Sequence, residues 1–343
     1  MAPVSVILRC DAGEQAGYGH LSRCVILAGA LAAAGANPKI LINGGGDAAL
    51  DFATRNGIVA TQAPFLFGTA ADTEHLLSVL QVSRSPVIVV LDSRNLNAGH
   101  TEAITSVAPT VVLDDEALRD LPCSLLINPN FWVRVTDYPH AAAARRILSG
   151  AAYNLINPEY FTQRSLPRSS PPSRILITMG GEDPWNCTSW LIRNAADILN
   201  NWTVDVVVGP FHPDRTDVER AAELLTRKHL TVAPAGLTSL IASADLALTA
   251  GGTTCYELAA SGVPMAAVIL EPHQGKFVDR LVDHGAAMVL ASFADKSTDD
   301  MRTRLKSLLA DTAVSQDLIA AGRKLFEGPG ASRVAAAILT LEL

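Results

Sequence analysis

The chain has 343 residues, 49% of them hydrophobic and 18% charged, with a mean hydropathy of +0.24 and a net charge of −7. That composition excludes a disordered chain, and the length suggests two domains, since one core seldom grows beyond about 250–300 residues. Without a basic run nucleic acid is not an expected partner, and no stretch reaches the roughly 18 apolar residues of a membrane helix.

In chain order, short apolar runs bounded by Gly, Asp or Asn alternate with alanine- and leucine-rich stretches of helical period. Such runs suit buried parallel strands, and the alternation predicts doubly wound α/β sheets that bind ligands at the carboxyl ends of their strands. "MAPVSVILRCDAG" opens without a basic segment, so no signal peptide is expected and a cytoplasmic location is. "VSVILR" is the first strand. It runs into "DAGEQAGYGH", where Gly13, Gly17 and Gly19 precede "HLSRCVILAGALAAAG", a helix ending at Gly35. His20 therefore falls in the first turn of that helix. A helix start disfavours imidazolium, which suits His20 to take a proton from water or a hydroxyl. The glycines are expected to give a bulky ligand room beside it; a capping or packing histidine is the plainer alternative.

"VIVVLDSRN" leaves Asp92, Ser93 and Arg94 at a strand end, and "TVVLDDEA" leaves Asp114, Asp115 and Glu116 at another. Adjacent carboxylates after a strand read as helix caps more readily than as a metal site. "LINPN" adds Asn128 and Asn130. The one compositional break is "RSLPRSSPPSR", Arg164 to Arg174, an extended linker that joins two α/β domains near residue 170.

After the break, "ILITMGGEDPWN" places Gly180 and Gly181 at a strand end, either as a phosphate-facing loop or as a turn with Asp183 capping a helix before Pro184. It is neither a Walker loop nor a dinucleotide fingerprint. "ADLALTAGGTTCYELAASGVP" carries the clearest signal. A strand ends in Gly251-Gly252, Thr253 and Thr254 open a helix, and Glu257 lies one turn inside it. Glycines admit a close approach of backbone to phosphate, a helix start stabilises the anion, and the carboxylate can accept ribose hydroxyls. Together they describe a nucleoside diphosphate site. "EPHQGK" sets His273 and Gln274 after a further strand. His75, His100, His140, His212, His229 and His284 share no spacing and read as surface or core residues. Cysteines 10, 24, 123, 187 and 255 form no paired or zinc spacing and are expected as free thiols.

These stretches, in this order, resemble the sugar-nucleotide hydrolases of pseudaminic acid biosynthesis, which release UDP from UDP-2,4-diacetamido-2,4,6-trideoxy-β-L-altropyranose. Spore-coat polysaccharide proteins and MurG-type glycosyltransferases of the GT-B fold are more distantly similar. "RCDAGEQAGYGHLSRC" matches the opening R-x-D-x-G/S-x-x-x-G-x-G-H-x-x-R-C, followed by "LDDE", "LLINPN", "LSGAAYNLINPEY", "TMGGEDPWN" and "TAGGTTCYELAASGVP". The resemblance implies two Rossmann-like domains facing across a cleft, 1–165 and 173–343, with the last helix free to pack back on the first domain. It implies UDP on the second domain, held by Gly180, Gly181, Gly251, Gly252, Thr253, Thr254 and Glu257, with backbone near Leu237 reading the uracil. His20 would activate water. Arg9, Asp11, Gly17, Tyr18, Gly19, Arg94, Asn128, His273 and Gln274 would surround the sugar. No metal or organic cofactor is implied, and a monomer is the expected state. Two positions depart from the hydrolase pattern: Asp92-Ser93-Arg94 stands where Asp-x-Tyr is usual, and His273-Gln274 where Asn-Gln is usual. Both bear on which sugar is bound, and Arg94 would suit an anionic group.

Three functions are therefore in competition: an inverting UDP-sugar hydrolase, a GT-B glycosyltransferase using the same base on an acceptor hydroxyl, and a UDP-sugar-binding protein. "PFLFG" is the only hint of a membrane-facing patch and nothing basic accompanies it, which favours hydrolysis; His20 argues against a mere binder.

Overall fold

A computed structural model describes residues 3–13, 17–83, 86–115, 117, 119–138, 144–162, 172–234, 236–293 and 297–342, with the side chain of His273 excepted. The chain divides into two compact units, 1–156 with 329–343, and 157–328.

The first unit runs β1 (Ser5–Asp11), α1 (Gly19–Ala33), β2 (Asn37–Asn43), α2 (Gly46–Arg55), β3 (Ala60–Gln62), α3 (Ala70–Gln81), β4 (Val87–Asp92), α4 (Ala98–Thr105), β5 (Thr110–Leu113), β6 (Leu125–Asn128) and β7 (Ile147–Ser149). The second runs α5 (Glu159–Thr162), β8 (Arg174–Thr178), α6 (Cys187–Leu199), β9 (Thr203–Val208), α7 (Arg215–Ala222), β10 (Lys228–Val232), α8 (Thr238–Ser243), β11 (Leu246–Ala250), α9 (Thr254–Ser261), β12 (Met265–Ile269), α10 (Pro272–Asp283), β13 (Met288–Ser292), α11 (Thr298–Ala310) and α12 (Thr312–Leu325). A last helix, α13 (Ala331–Leu339), belongs to the first unit.

Both sheets are parallel throughout, in the orders β3-β2-β1-β4-β5-β6-β7 and β10-β9-β8-β11-β12-β13. The central strands read as unbroken Val, Ile and Leu because both faces are covered; all six residues of β4 are buried. Each order reverses once, between β1 and β4 and between β8 and β11. A crevice opens beyond the carboxyl ends of strands at such a reversal, where loops leave for opposite faces.

The first unit keeps a core on each face of its sheet. On one of them α13 lies against α1, and Ala331, Val334, Ala335 and Ile338 share a cluster with Leu21, Leu27, Ala28 and Leu31. Full burial of Val334 and Ile338 contributes about 1.5–3 kcal/mol each.

The break between units falls at Ile156/Asn157, ahead of the stretch where composition placed it. The cause is α5, which packs on α8 and α9 of the second unit with Tyr160 buried. Most of the expected linker lies outside the described residues. Among the described residues, no helix is long and apolar enough to cross a membrane.

Candidate functional site

At the β1/β4 reversal the parallel register sets Cys10 opposite Asp92, so Asp11 and Asp92 emerge side by side. Gly13 and Gly17 then exchange two backbone hydrogen bonds, of 3.2 and 2.7 Å, closing the loop before α1. Gly13 has φ 106°, and a Cβ there would meet the Gly45 nitrogen at 2.8 Å. Its smallness serves packing on the β2–α2 turn, not room for a ligand. Gly17 and Gly19 face no such crowding. Residues 14–16 lie outside the described residues.

His20 is the second residue of α1, whose start has no side-chain cap and no acidic residue in the first turn. It is 6% exposed. Its Nδ1 lies 2.7 Å from Asp92 Oδ1. Arg23, one turn on, binds Asp92 through Nε and Nη2 and Asp115 through Nη1 at 2.6 Å and Nη2 at 3.0 Å. Burial alone would raise the Asp92 carboxyl, but the charge and hydrogen bonds of Arg23, aided by His20, hold it well below the usual carboxylate range. An ionised carboxylate only accepts, so the hydrogen between Asp92 and His20 sits on Nδ1. The Arg23 Nη2 atom, 3.1 Å from Nδ1, is then a charged neighbour rather than a donor to it. Nε2 has no hydrogen-bond partner among the described residues, and in the neutral imidazole it is the nitrogen that carries the lone pair, the arrangement of a base oriented by a carboxylate.

Asp11 stands beside this pair. Its Oδ2 accepts from the Ser93 hydroxyl, while its buried Oδ1 has no partner among the described residues. Burial raises its carboxyl, against the Ser93 hydrogen bond and the charge of Arg9. An unpaired buried acceptor beside a histidine base can take a donor from a ligand. Among the described residues, no group of three or more His, Cys, Asp or Glu could hold a metal ion. The five cysteines are free and buried.

Several expected contacts lie elsewhere. Arg9, expected at the sugar, is 0% exposed. It donates to Asp72 at 2.8 and 3.0 Å, to the Phe65 and Cys10 carbonyls, and stacks on Phe67, so it is a core residue. Asn128 is likewise 0% exposed; it donates to the Tyr138 hydroxyl and accepts from the Asn130 N–H, fixing a turn. Asp114 caps no helix: it accepts from Arg119, Tyr138 and the Ala117 N–H. Glu116 lies outside the described residues. Arg94 is exposed, and Tyr18 is half-buried with its ring edge on Phe52.

The second constellation sits at the β8/β11 reversal. After β11, Gly251 packs under α10: a Cβ there would meet Val278 Cγ2 at 2.5 Å and Gln274 Cβ at 3.2 Å. Gly252 is open. Thr253 precedes α9 without a side-chain cap, and the N–H groups of Thr253 and Thr254 have no acceptor among the described residues. The start of α9 is thus a free anion-binding terminus. The start of α6 is not. Asp183 already fills it, accepting from the N–H groups of Cys187 at 2.7 Å and Thr188 at 2.9 Å. The glycine loop before it, with Gly180 at φ 85° and open, can approach a ligand only through its own backbone. Gln274 accepts from the Leu270 N–H at 3.0 Å. Leu237 precedes α8 and gives its carbonyl to Ile241.

Glu257 is half-buried. Burial pushes its carboxyl up to about 7, opposed by a hydrogen bond from the Tyr160 hydroxyl. Arg23, Tyr160 and the pairing of Asp92 with His20 escaped the sequence reading. Arg23 was visible at i+3 from His20, inside the motif itself; the other two are long-range pairings that carry no local signal.

The fold is the two-unit α/β architecture of GT-B glycosyltransferases. Acinetobacter baumannii MurG superposes with a TM-score of 0.66 at 15% identity, over 99% of this chain and 100% of that one. The glycosyltransferase family 28 C-terminal domain matches residues 211–317. The chain is 25% identical to the spore coat polysaccharide biosynthesis protein SpsG of Bacillus subtilis over 199 residues, 57% of this chain and 59% of that protein, so the match spans less than two thirds of the relative. It is also similar, at 18% identity over 64% of this chain and 75% of the relative, to the UDP-2,4-diacetamido-2,4,6-trideoxy-β-L-altropyranose hydrolase of Campylobacter jejuni.

Proposed function

We propose that the protein is an inverting UDP-sugar hydrolase that releases UDP from a UDP-linked diacetamido-trideoxy sugar in nonulosonic (pseudaminic) acid biosynthesis. The observation that carries it is the 2.7 Å contact between His20 Nδ1 and an Asp92 held ionised. It leaves Nε2 as a proton acceptor at the carboxyl edge of the first sheet. Water gives its proton to Nε2 and attacks the anomeric carbon; the bond to the diphosphate breaks in the same displacement, inverting that carbon. The second unit holds the nucleotide: Gly252, Thr253 and Thr254 take the diphosphate at the α9 start, Glu257 the ribose, and backbone at Leu237 the base, with Gly180 and Gly181 lining the phosphates. The α9 N–H groups and dipole stabilise the charge that grows on departing UDP. On the first unit, Asp11, whose Oδ1 has no partner among the described residues, would meet the sugar together with Gly17, Tyr18, Gly19 and Arg94.

The match to the family 28 C-terminal domain supports a second reading, a GT-B glycosyltransferase in which His20 deprotonates an acceptor hydroxyl. UDP release from the diacetamido-trideoxy-altrose nucleotide, without acceptor, separates the two. Release by the wild type and not by His20→Ala supports hydrolysis. Tight UDP binding with release only when an acceptor alcohol is added sinks hydrolysis in favour of transfer.

A further inference from the structure

The loops that leave β8 and β9 are locked together, and a missing side chain makes the lock possible. The register sets Thr178 opposite Val207, so Gly209, just past β9, falls beside the Gly180–Gly181 turn. A Cβ on Gly209 would overlap the carbonyl oxygens of both Gly180 and Gly181 and come within 2.5 Å of the Gly181 carbonyl carbon. Gly209 does not have a positive φ, so space, not backbone conformation, demands glycine there. Two further contacts tie the loops. The Phe211 N–H donates to the Gly181 carbonyl at 3.0 Å. His212 Nδ1 accepts from the Asp214 N–H at 3.0 Å, which leaves its hydrogen on Nε2. That Nε2 lies 3.4 Å from Oδ2 of Asp183, with both side chains buried.

These contacts decide where the donors of the turn point. A trans peptide carries its C=O and its N–H on opposite sides. With the carbonyls of Gly180 and Gly181 turned onto Gly209, the N–H groups of Gly181 and Glu182 point away from β9. Neither has an acceptor among the described residues. β8 lies between β9 and β11, so these two donors leave on the side of β11, whose loop leads into the start of α9.

We propose that Gly209 is a positioning residue for the diphosphate: by leaving room for two carbonyls, it turns the N–H groups of Gly181 and Glu182 toward a phosphoryl oxygen on the side of α9. The proposal deepens the nucleotide reading and rests on it. Successive N–H groups in a turn form a concavity that takes an anion, and their bonds to a charged oxygen are stronger than bonds between neutral groups. The direction of the two donors is imposed by the neighbouring strand, because any side chain at 209 would push both carbonyls, and with them both N–H groups, out of line. Asp183 does not compete for these donors, since its carboxylate is engaged at the α6 start.

The test follows the binding of UDP and of uridine to wild type, Gly209→Ala and Glu182→Pro by calorimetry and NMR, with thermal unfolding as the control for folding. In the wild type the amide signals of Gly181 and Glu182 should shift with UDP and stay in place with uridine, a readout that needs no variant. Glu182→Pro deletes one of the two N–H groups and Gly209→Ala turns both. Each is expected to lower UDP affinity by roughly tenfold or more, the worth of a hydrogen bond to a charged group, with uridine affinity unchanged. Amide signals of Gly181 and Glu182 that ignore UDP overturn the proposal, even where Gly209→Ala fails to fold. So does a folded Gly209→Ala that binds UDP as the wild type does. An equal loss of affinity for UDP and uridine in Gly209→Ala also overturns it, since that is what a merely structural glycine would give. A wild type that binds UDP no more tightly than uridine overturns the diphosphate reading along with it, whereas a wild type that prefers UDP with both amides unmoved overturns the proposal alone.

Discussion

Asp92→Asn keeps the size of the side chain but can turn an N–H toward His20. The 2.7 Å partner of Nδ1 then becomes a donor, so Nδ1 must accept, the proton moves to Nε2, and the lone pair that would receive the proton of water is gone. The same exchange behind the histidine of the serine-protease triad lowers kcat by about 10⁴, or about 5 kcal/mol at about 1.36 per decade. Asp92→Asn is expected to lower UDP release by about 10³ to 10⁴ on the same grounds. The folded state should lose less. Arg23 keeps its two hydrogen bonds to Asp115, and Asn retains one acceptor, so the loss is about 2–3 kcal/mol rather than the 3–5 of a fully broken buried pair. Two assays check it: UDP release, and the nitrogen-15 spectrum of His20, whose pattern should switch from proton on Nδ1 to proton on Nε2. A spectrum and a turnover both within tenfold of wild type would refute the tautomer argument.

Other consequences are equally direct. Glu257 keeps a proton up to about pH 7 when folded but only to 4.5 when unfolded, so the wild type should lose stability between those values. Glu257→Gln should match it at pH 4 and exceed it by at most about 3 kcal/mol at pH 8 in thermal or urea unfolding, while UDP affinity falls. Gly251→Ala, with Val278 in its way, should cost about 1–3 kcal/mol, and Val278→Ala should restore part of it. Gly252→Ala meets nothing within 4 Å and should unfold like wild type while weakening UDP binding. Arg9→Met strands Asp72 and should destabilise by about 3–5 kcal/mol, with no change in UDP affinity.

The parts of the molecule legible in the sequence are those written locally. Val- and Ile-rich runs ending in Gly, Asp or Asn mark the buried strands, and a helical period after Gly19 places His20 in the first turn of α1. The same grammar located Glu257 in α9. Residues whose meaning depends on a distant partner were misread or missed. Arg9 and Asn128 belong to the right motifs, but Asp72, 63 residues on, draws the first inward, and Tyr138 the second. Asp92 lies 72 residues from His20, and only the adjacency of β1 and β4 joins them. Composition marks a linker by its prolines, yet the boundary is set by where Tyr160 is buried, and a single tyrosine announces nothing.

The return of α13 to the first unit has a consequence for biosynthesis. The ribosome delivers α1, with His20 near its start, among the first 33 residues, but the helix that seals its apolar side is made only from residue 331 onward. The second unit holds its elements in one unbroken stretch, 157–328, and can finish folding while the first still waits with Leu27, Ala28 and Leu31 uncovered. The unit that carries the histidine is therefore completed last, and a chain that stops short at 328 would have made all of the second unit and lack the closing layer of the first.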